Sequence, residues 1–423
     1  MTNAPSPRRR AAALLLALAT FAGGACSSDD GSTAATTTTA ATSTTAPTGT
    51  SPTTGPDGDP ASGEATPSPD WAVTSPEAEG FDADALEKVR DWAFADERNT
   101  QGVVIVRHGR IAQEWYADGA GPDSWAASWS VGKSFASALV GIAIDEGLIP
   151  SVDEPMTTWY PEWEERGLGD ITLEHVLQMA DGLRWDETYD AAQGASDIIK
   201  LVTSAEDQLE VVRALPREHE PGTVFNYSSG TAMLLSGVIE QATGRPAGEY
   251  AQEKLFGPLG FTKADWWRDT EDHTLTYCCV DTTTRDFARL GLLYLREGRW
   301  GDEQVVPADW VKASVTGAPT SPDTYGYMWW LPGEDSSLPD DLFSANGHDG
   351  QFIFVVPSLD LVVVRNGTYV KDPGEPVADP NLFNRYPPDG LVPGHGTAPP
   401  DGWDNETFLG GIIDAITDDE PAS

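Results

Sequence analysis

The chain has 423 residues, roughly one large domain or two to three ordinary ones, and its 67 acidic against 26 basic residues give a net charge of -41. A field of this sign repels phosphate backbones and excludes nucleic-acid binding through a basic surface. The 15 tryptophans and the 39% hydrophobic fraction exclude a wholly disordered acidic chain, and no apolar run reaches the ~18–20 residues of a membrane-spanning helix.

The N-terminal residues 1–25 have the order of a secretory signal. Arg8, Arg9 and Arg10 precede an apolar run that ends in small residues before Cys26. This pattern is typical of bacterial export, and with the cysteine it resembles a lipoprotein signal peptide. The resemblance implies cleavage before Cys26 and lipid attachment to its thiol, so that the protein is held on the outer face of the cell membrane. An ordinary cleaved signal and a secreted protein is the alternative.

Residues 26–70 are rich in Ser, Thr, Ala, Gly and Pro and contain almost no bulky apolar side chains. Ordering such a segment would cost backbone entropy without apolar burial to offset it. We therefore expect a disordered tether that holds the following domain, 71–423, away from the membrane surface.

The composition of residues 71–423 is that of a folded domain. Helical periodicity at 81–94 is followed by a hairpin pattern at 103–116. Helical patterns then dominate, at 134–144, 173–179, 209–215, 232–241 and 285–295. Strand patterns return at 325–330, 352–356 and 361–365, before a final helical pattern at 408–416.

The order of these elements predicts the fold class. Strands at both ends and helices in the middle favour an α/β part, built from about 76–155 and 280–423, whose sheet pairs early segments with late ones. The interior of the chain, about 156–279, would form a helical subdomain beside that part.

The first motif with chemical meaning is Ser130-Val131-Gly132-Lys133 at the start of a helical run. Residues three apart on a helix share a face, and a desolvated lysine can take the proton of a serine hydroxyl. The N–H of Ser130, near the positive end of the helix dipole, could also stabilise an oxyanion. Taken alone, the spacing is more often that of a surface helix than that of an active site.

Two further motifs lie later in the chain. Tyr227 stands in a polar, Gly-flanked loop at 225–230, where a tyrosine whose pKa is lowered by a nearby ammonium could relay protons. The segment 346–351, Asn-Gly-His-Asp-Gly-Gln, leads into the late strand at 352–356, and a strand N–H there could complete an oxyanion hole. Taken alone, each motif fits an ordinary turn better, with the tyrosine packed under the turn and the histidine solvated.

Together the motifs stand in a characteristic order: Ser-x-x-Lys early, Tyr-x-Ser in the middle and His-x-Gly late. This order resembles the class C β-lactamase-related serine hydrolases, a family of penicillin-recognising enzymes, carboxylesterases and 6-aminohexanoate-dimer hydrolases. The similarity runs from about residue 76 to residue 364 and includes the segments 171–177, 221–223, 284–292 and 325–330. It implies a β-lactamase/transpeptidase-like fold, with an antiparallel sheet flanked by helices and a helical subdomain.

The resemblance also assigns roles to individual residues. Ser130 would be the acylated nucleophile, Lys133 its base or base partner, and Tyr227 the second proton-transfer group. The backbone N–H groups of Ser130 and Gln351 would form the oxyanion hole. Contacts to the substrate are expected from Trp185, Tyr189, Ser229, His348 and Gly350. No cofactor is expected, and the histidines show no spacing typical of a metal site.

Two positions differ from the β-lactamases of this class. Ser229 replaces their asparagine, and His348 replaces a lysine whose permanent charge helps to hold a β-lactam carboxylate. An ordinary histidine, with a pKa of ~6.5, is mostly neutral at pH 7. Both differences favour small esters or amides as substrates. A D-alanyl carboxypeptidase, a penicillin-binding or β-lactamase-type enzyme, and a surface binding or sensing module without turnover are the alternatives.

The adjacent Cys278 and Cys279 are the last feature that bears on the site. A disulfide between chain neighbours has unfavourable geometry, and too few cysteines remain for a disulfide framework. We therefore expect two packed thiols near the mouth of the site.

Overall fold

In a computed structural model of the chain, the described residues are 65–67, 70–189, 196–204, 206–369, 371 and 402–417. The predicted signal peptide, the lipidation site Cys26 and most of the tether at 26–70 lie outside these ranges and stay predictions. Within the described ranges, no helix is both long and apolar enough to cross a bilayer.

In the described part of the chain, strands lie mainly toward the two ends of the domain and a long run of helices lies between them. The strands are β1 Thr100–Arg107, β2 Arg110–Tyr116, β3 Ala126–Ala127, β4 Asp265–Trp266, β5 Val280–Thr282, β6 Arg299–Trp300, β7 Glu303–Gln304, β8 Phe343–Gly347, β9 Gln351–Val356 and β10 Leu361–Gly367. The helices are α1 Ala83–Ala93, α2 Gly132–Asp145, α3 Glu162–Glu165, α4 Leu173–Leu177, α5 Asp197–Ser204, α6 Gln208–Arg213, α7 Ser229–Thr243, α8 Ala247–Ala251, α9 Gly257–Leu259, α10 Thr284–Leu295, α11 Ala308–Ser314 and α12 Asn405–Asp414.

The largest sheet has five antiparallel strands in the order β2-β1-β10-β9-β8. The early strand β1 pairs with the late strand β10 in a register that places Val104 opposite Val364. This pairing confirms the predicted mixed fold with an antiparallel sheet that joins both ends of the domain. A second, three-stranded sheet has the order β3-β5-β4.

Both faces of the large sheet are covered. Val103 and Ile105 of β1 pack in one apolar cluster with α1 and α12, whereas Val104 and Val106 pack in a second cluster with α10 and α2. Side chains alternate between the two faces of a strand. When helices cover both faces, consecutive residues are all buried and the sequence of the strand is a continuous apolar run. Burial of both faces of β1 therefore explains its sequence Val-Val-Ile-Val.

Helix α2 runs through the interior, and its residues 132–143 are buried. A buried helix typically has apolar or small side chains on all of its faces. Gly141 allows a close approach, because a Cβ there would lie 2.4 Å from the Trp310 ring. The polar Ser134 and Ser137 are satisfied by the carbonyls of Met328 and Tyr327, at 2.7 and 2.9 Å. The first residues of helix α2 are therefore buried away from solvent.

One predicted element is wrong. Residues 325–330 form a tight turn closed by an isolated bridge between Tyr325 and Trp330, not a strand. Met328 takes a left-handed backbone (φ 62) inside this turn, which interrupts the extended conformation that the aromatic and apolar composition favours.

Candidate active site

Ser130 lies in a tight turn that leads directly into α2. Trp129–Val131 is a single turn of 3-10 helix, entered through a left-handed backbone at Trp129 (φ 44). Ser128 ties this turn to β5, because its N–H donates to the Val280 carbonyl at 2.9 Å and its hydroxyl accepts from the Val280 N–H at 2.7 Å. The Ser130 position is therefore held by the small sheet on one side and by α2 on the other.

Lys133 follows one helical turn later and is 1% exposed. Its Nζ donates hydrogen bonds to the Ser130 Oγ at 3.0 Å, the Ser229 Oγ at 3.1 Å and the Tyr277 carbonyl at 2.9 Å. Burial lowers the pKa of Lys133 to about 8, an effect that the negative charge of Glu187 opposes. Near neutral pH, a fraction of Lys133 is therefore an uncharged amine beside the Ser130 hydroxyl.

The segment 277–279 passes very close to the start of α2. A Cβ on Gly132 would lie 2.7 Å from the Cys278 backbone, so a glycine is needed for the Tyr277 carbonyl to reach Lys133. Cys278 and Cys279 are bonded to each other as a disulfide, so the expectation of two free thiols is wrong. Cys279 has a left-handed backbone (φ 73), a conformation that residue types alone do not reveal.

Tyr227 completes the group around Ser130. Its hydroxyl shares a hydrogen bond with Ser130, and the Lys133 Nζ lies 4.9 Å from the centroid of its ring. Burial and the charge of Glu187 raise the pKa of Tyr227 well above its ordinary value. The predicted lowering of this pKa is wrong, because desolvation disfavours the phenolate more than nearby donors favour it. Tyr227 is therefore a neutral phenol that can donate a proton.

The loop that carries Tyr227 is held by its backbone and by an aromatic wall. The Asn226 N–H donates to the Met179 carbonyl at 2.8 Å. The Tyr227 ring contacts Trp330 and Tyr325, with centroids 5.2 and 6.0 Å apart. The turn at 325–330, predicted as a strand, thus supplies the surface that orients the phenol.

Glu187 is a site residue that sequence reasoning missed. Its carboxylate accepts the Ser229 N–H at 2.9 Å and the Ser229 hydroxyl at 2.6 Å, at the N-terminal end of α7. It also accepts from the Trp185 indole N–H, and from the Tyr189 hydroxyl at 3.1 Å. A continuous path of hydrogen bonds therefore runs from Lys133 through Ser229 to Glu187.

An acidic side chain between two aromatic residues was the available sequence signal for Glu187. A carboxylate is favoured near a helix N-terminus, but the helix it caps begins with Ser229, 42 positions further along the chain. Nothing local in the sequence connects the two segments. Only the folded chain shows that the carboxylate faces the lysine.

The other predicted substrate contacts occupy different places. The His348 ring is 7% exposed and lies between Trp129 and Tyr189, with centroids 5.8 and 4.8 Å away. Tyr189 is 37% exposed, so it stands at the edge of this group. Trp185 is buried against Gly230 of α7, where a Cβ would lie 2.6 Å from the indole ring. Trp185 therefore packs against the helix and anchors Glu187 through its N–H.

The start of β9 lies beside Ser130. Gly347 is opposite Gln351 in the β8–β9 register, and a Cβ on Gly347 would lie 3.2 Å from the Ser130 nitrogen and 2.4 Å from the Ser128 carbonyl oxygen. The Gln351 side chain is turned away into β10, where its Oε1 accepts from the Asn366 amide at 3.0 Å. The backbones of Ser130 and Gln351 thus flank one glycine.

One group of described side chains has the residue types of a metal site. Ligand atoms of Asp207, Asp269 and His273 lie within 4.8 Å of one another. The Asp269 carboxylate already accepts from the Gln208 N–H at 2.9 Å and from the His273 N–H at 2.9 Å, and Asp207 caps α6. These bonds hold the segment locally and give the three residues a structural role.

Comparison with known proteins places the chain in a family. The model of the family described as Beta-lactamase matches residues 87–382. The chain belongs to the β-lactamase family. This confirms the predicted resemblance and the predicted enzyme class, a β-lactamase-related serine hydrolase.

Individual relatives agree with this assignment. The 6-aminohexanoate-dimer hydrolase of Paenarthrobacter ureafaciens is 26% identical over 293 residues, which cover 64% of this chain and 73% of the relative. The octameric penicillin-binding protein homologue of Pyrococcus abyssi aligns with a TM-score of 0.52 at 18% identity, over 71% of this chain and 75% of that one. EstCE1, described as a hydrolase with promiscuous acyltransferase activity, aligns with a TM-score of 0.58 at 18% identity, over 74% and 97%. The two solved structures support the fold.

Proposed function

We propose that this protein is an exported serine hydrolase that cleaves small ester or amide bonds through an acyl-enzyme at Ser130. One observation carries the proposal: the buried Lys133 Nζ lies 3.0 Å from the Ser130 Oγ, while the Tyr227 hydroxyl bonds to the same serine. The Ser130 hydroxyl, as the nucleophile, thus bonds both to a base with a pKa of about 8 and to a neutral phenol.

In the proposed acylation, the uncharged Lys133 takes the hydroxyl proton as the Ser130 Oγ attacks the carbonyl carbon. The N–H groups of Ser130 and Gln351 stabilise the oxyanion that forms. Tyr227 gives its proton to the departing alcohol or amine and regains one from the Lys133 ammonium. In deacylation, water attacks the acyl carbon of the ester on Ser130 and gives a proton to the uncharged Lys133; the bond to the Ser130 Oγ breaks, the Oγ takes up a proton from Lys133 or Tyr227, and the carboxylic acid leaves.

Two positions support esters and amides over β-lactams as substrates. The chain has Ser229 and His348 where β-lactamases of this class have an asparagine and a lysine, so an imidazole replaces a permanent cation. The Ser229 hydroxyl bonds to Lys133 and Glu187, at 3.1 and 2.6 Å. The relative from Paenarthrobacter ureafaciens is named as a 6-aminohexanoate-dimer hydrolase, which supports the same substrate class.

A substrate panel tests this function. We expect turnover of p-nitrophenyl esters and of short linear amides, with little turnover of the β-lactam nitrocefin. Release of D-alanine from purified muropeptides would instead support a carboxypeptidase. Acylation of one molecule per site without deacylation would support a binding or sensing module.

The location outside the cell is part of the proposal and rests on residues 1–26. Changing Cys26 to alanine is expected to move the protein from the membrane fraction to the soluble fraction, because the thiol that would carry lipid is lost. Cell fractionation with an immunoblot checks this result. The wild-type protein in the soluble fraction would contradict the lipid anchor and favour the secreted alternative.

Removing the negative charge of Glu187 should change the pH dependence of the reaction. Glu187→Gln keeps groups that can bond to Ser229, but it no longer supports the positive charge of Lys133, so the pKa of Lys133 should fall below about 8. Because the uncharged amine is the active form, the rise of kcat/KM with pH should move to lower pH, by about one pH unit or less.

Glu210→Gln is a matched control for the Glu187 prediction, since its carboxylate is 65% exposed on α6. Its pH profile should coincide with that of the wild type. A Glu187→Gln profile that moves to higher pH would contradict the electrostatic account of Lys133.

A further inference from the structure

Arg365 is a buried arginine whose guanidinium faces the loop before β9. The residue lies in β10 and is 0% exposed. Its Nη1 donates to the Asp349 carbonyl at 2.6 Å and to the Gly350 carbonyl at 2.8 Å. Its Nε and Nη2 donate to the Thr100 Oγ1 at 3.2 and 3.1 Å, and Nη2 also donates to the Arg98 carbonyl. The guanidinium is thus shared between the loop and β1.

Burying this guanidinium is unfavourable. Desolvation lowers the pKa of Arg365 to about 9, an effect that the charge of Asp349 opposes. A cation–π contact with the Trp403 ring, whose centroid lies 4.5 Å from the guanidinium carbon, offsets part of the desolvation free energy. Well-packed apolar residues in place of buried charged groups are often as stable or more stable. Fold stability alone is therefore a weak reason for an arginine here.

The loop that Arg365 contacts has a backbone that must be held in place. Asp349 has a φ of 59 and Gly350 a φ of 72, so two successive residues are left-handed. For a residue with a Cβ this conformation is unfavourable, and it persists where its surroundings over-determine it. The two hydrogen bonds from one Nη1 restrain both peptide carbonyls of the turn.

The second of those carbonyls belongs to the same peptide group as the Gln351 N–H. A charged donor on the Gly350 oxygen polarises that peptide, and linked hydrogen bonds strengthen one another. Gln351 is fixed from its other side as well, because its Oε1 accepts from the Asn366 amide and from the Gly367 N–H, at 3.0 and 3.1 Å. The backbone N–H of Gln351 is therefore oriented and made a stronger donor.

We propose that Arg365 is a positioning residue that fixes and polarises the Gly350–Gln351 peptide as the second donor of the oxyanion hole. The inference rests on the proposed function, which assigns the Gln351 N–H to the oxyanion. Since the oxyanion exists only in the transition state and the tetrahedral intermediate, the contribution of Arg365 appears in kcat and leaves KM nearly unchanged.

Three variants test this role with a p-nitrophenyl ester. Arg365→Met removes the charge and both carbonyl bonds, and we expect kcat to fall about 10–100-fold with KM within about twofold, below the cost of losing an oxyanion donor outright. Arg365→Lys keeps a cation and should recover part of the lost kcat. Thr100→Val is the matched control, because it removes another acceptor of the guanidinium and leaves the carbonyl bonds; its kcat should stay within about threefold of the wild type.

The amide proton of Gln351 gives a second measurement that needs only the Arg365→Lys variant, should the methionine variant fail to fold. In protein with isotope-labelled glutamine, a weaker hydrogen bond to the Gly350 carbonyl should shift this proton upfield. An unchanged shift, a wild-type kcat in Arg365→Met, or equal kcat values in the methionine and lysine variants would overturn the inference. Turnover that persists in Ser130→Ala would instead overturn the proposed function beneath it.

Discussion

Replacing Ser130 by alanine is expected to lower kcat for p-nitrophenyl esters by a factor on the order of 10⁴–10⁶, as losses of a nucleophile do in other serine hydrolases. The Ser130 Oγ is the atom that forms the acyl bond in the proposed mechanism. Among the described hydroxyl groups, no other one forms hydrogen bonds with both Lys133 and Tyr227. Steady-state rates and pre-steady-state bursts of p-nitrophenol measure the effect. The burst should disappear with the turnover.

Ser229→Ala is the matched control for Ser130→Ala, because Ser229 also accepts a hydrogen bond from the Lys133 Nζ. This variant loses one partner of the lysine and keeps the proposed nucleophile. We expect a clearly smaller loss in kcat and a retained burst. A larger loss in Ser229→Ala than in Ser130→Ala would contradict the assignment of the nucleophile.

Replacing Lys133 by methionine should lower the acylation rate by about 10²–10⁴-fold, the range typical of a general base. The wild-type rate should rise with pH up to the pKa of Lys133, about 8, and level off above it. The direction follows from the protonation state: above this pKa the amine is uncharged and can accept the Ser130 proton. In Lys133→Met that rise should be absent.

The exposed Lys88 on α1 provides a control for the lysine substitution. Lys88→Met makes the same chemical change far from any contact with Ser130 in the described structure, and its rate and pH profile should equal those of the wild type. Circular dichroism of both variants checks that they are folded. A Lys133→Met enzyme that keeps the wild-type pH profile would exclude Lys133 as the base.

Much of the fold follows from patterns that are local in the sequence. The apolar runs of β1 and β10 predict buried strands because both faces of the sheet are covered, and the Ser-x-x-Lys spacing predicts one helix face because it is about one turn. The family resemblance then brings Tyr227 to the same place, although 94 positions (227 - 133) separate it from Lys133. Long-range convergence of this kind is not visible in periodicity.

The features that sequence reasoning missed depend on tertiary packing. Glu187 faces Lys133 only because the loop at 185–189 folds over the start of α7, and the Tyr277 carbonyl reaches the lysine only because Gly132 leaves room. The predicted lowering of the Tyr227 pKa is wrong because this shift, too, depends on tertiary packing. Its burial, which no residue type reports, outweighs the nearby hydrogen bond.

The proposed mechanism depends most on which serine becomes acylated, because two hydroxyls bond to the same lysine. A fluorophosphonate probe, followed by digestion and mass mapping of the labelled peptide, answers this directly. We predict one label per molecule, on Ser130, at a rate that rises with pH toward about 8. A label on Ser229, or a label on Ser130 whose rate is the same in Lys133→Met, would contradict the proposed mechanism.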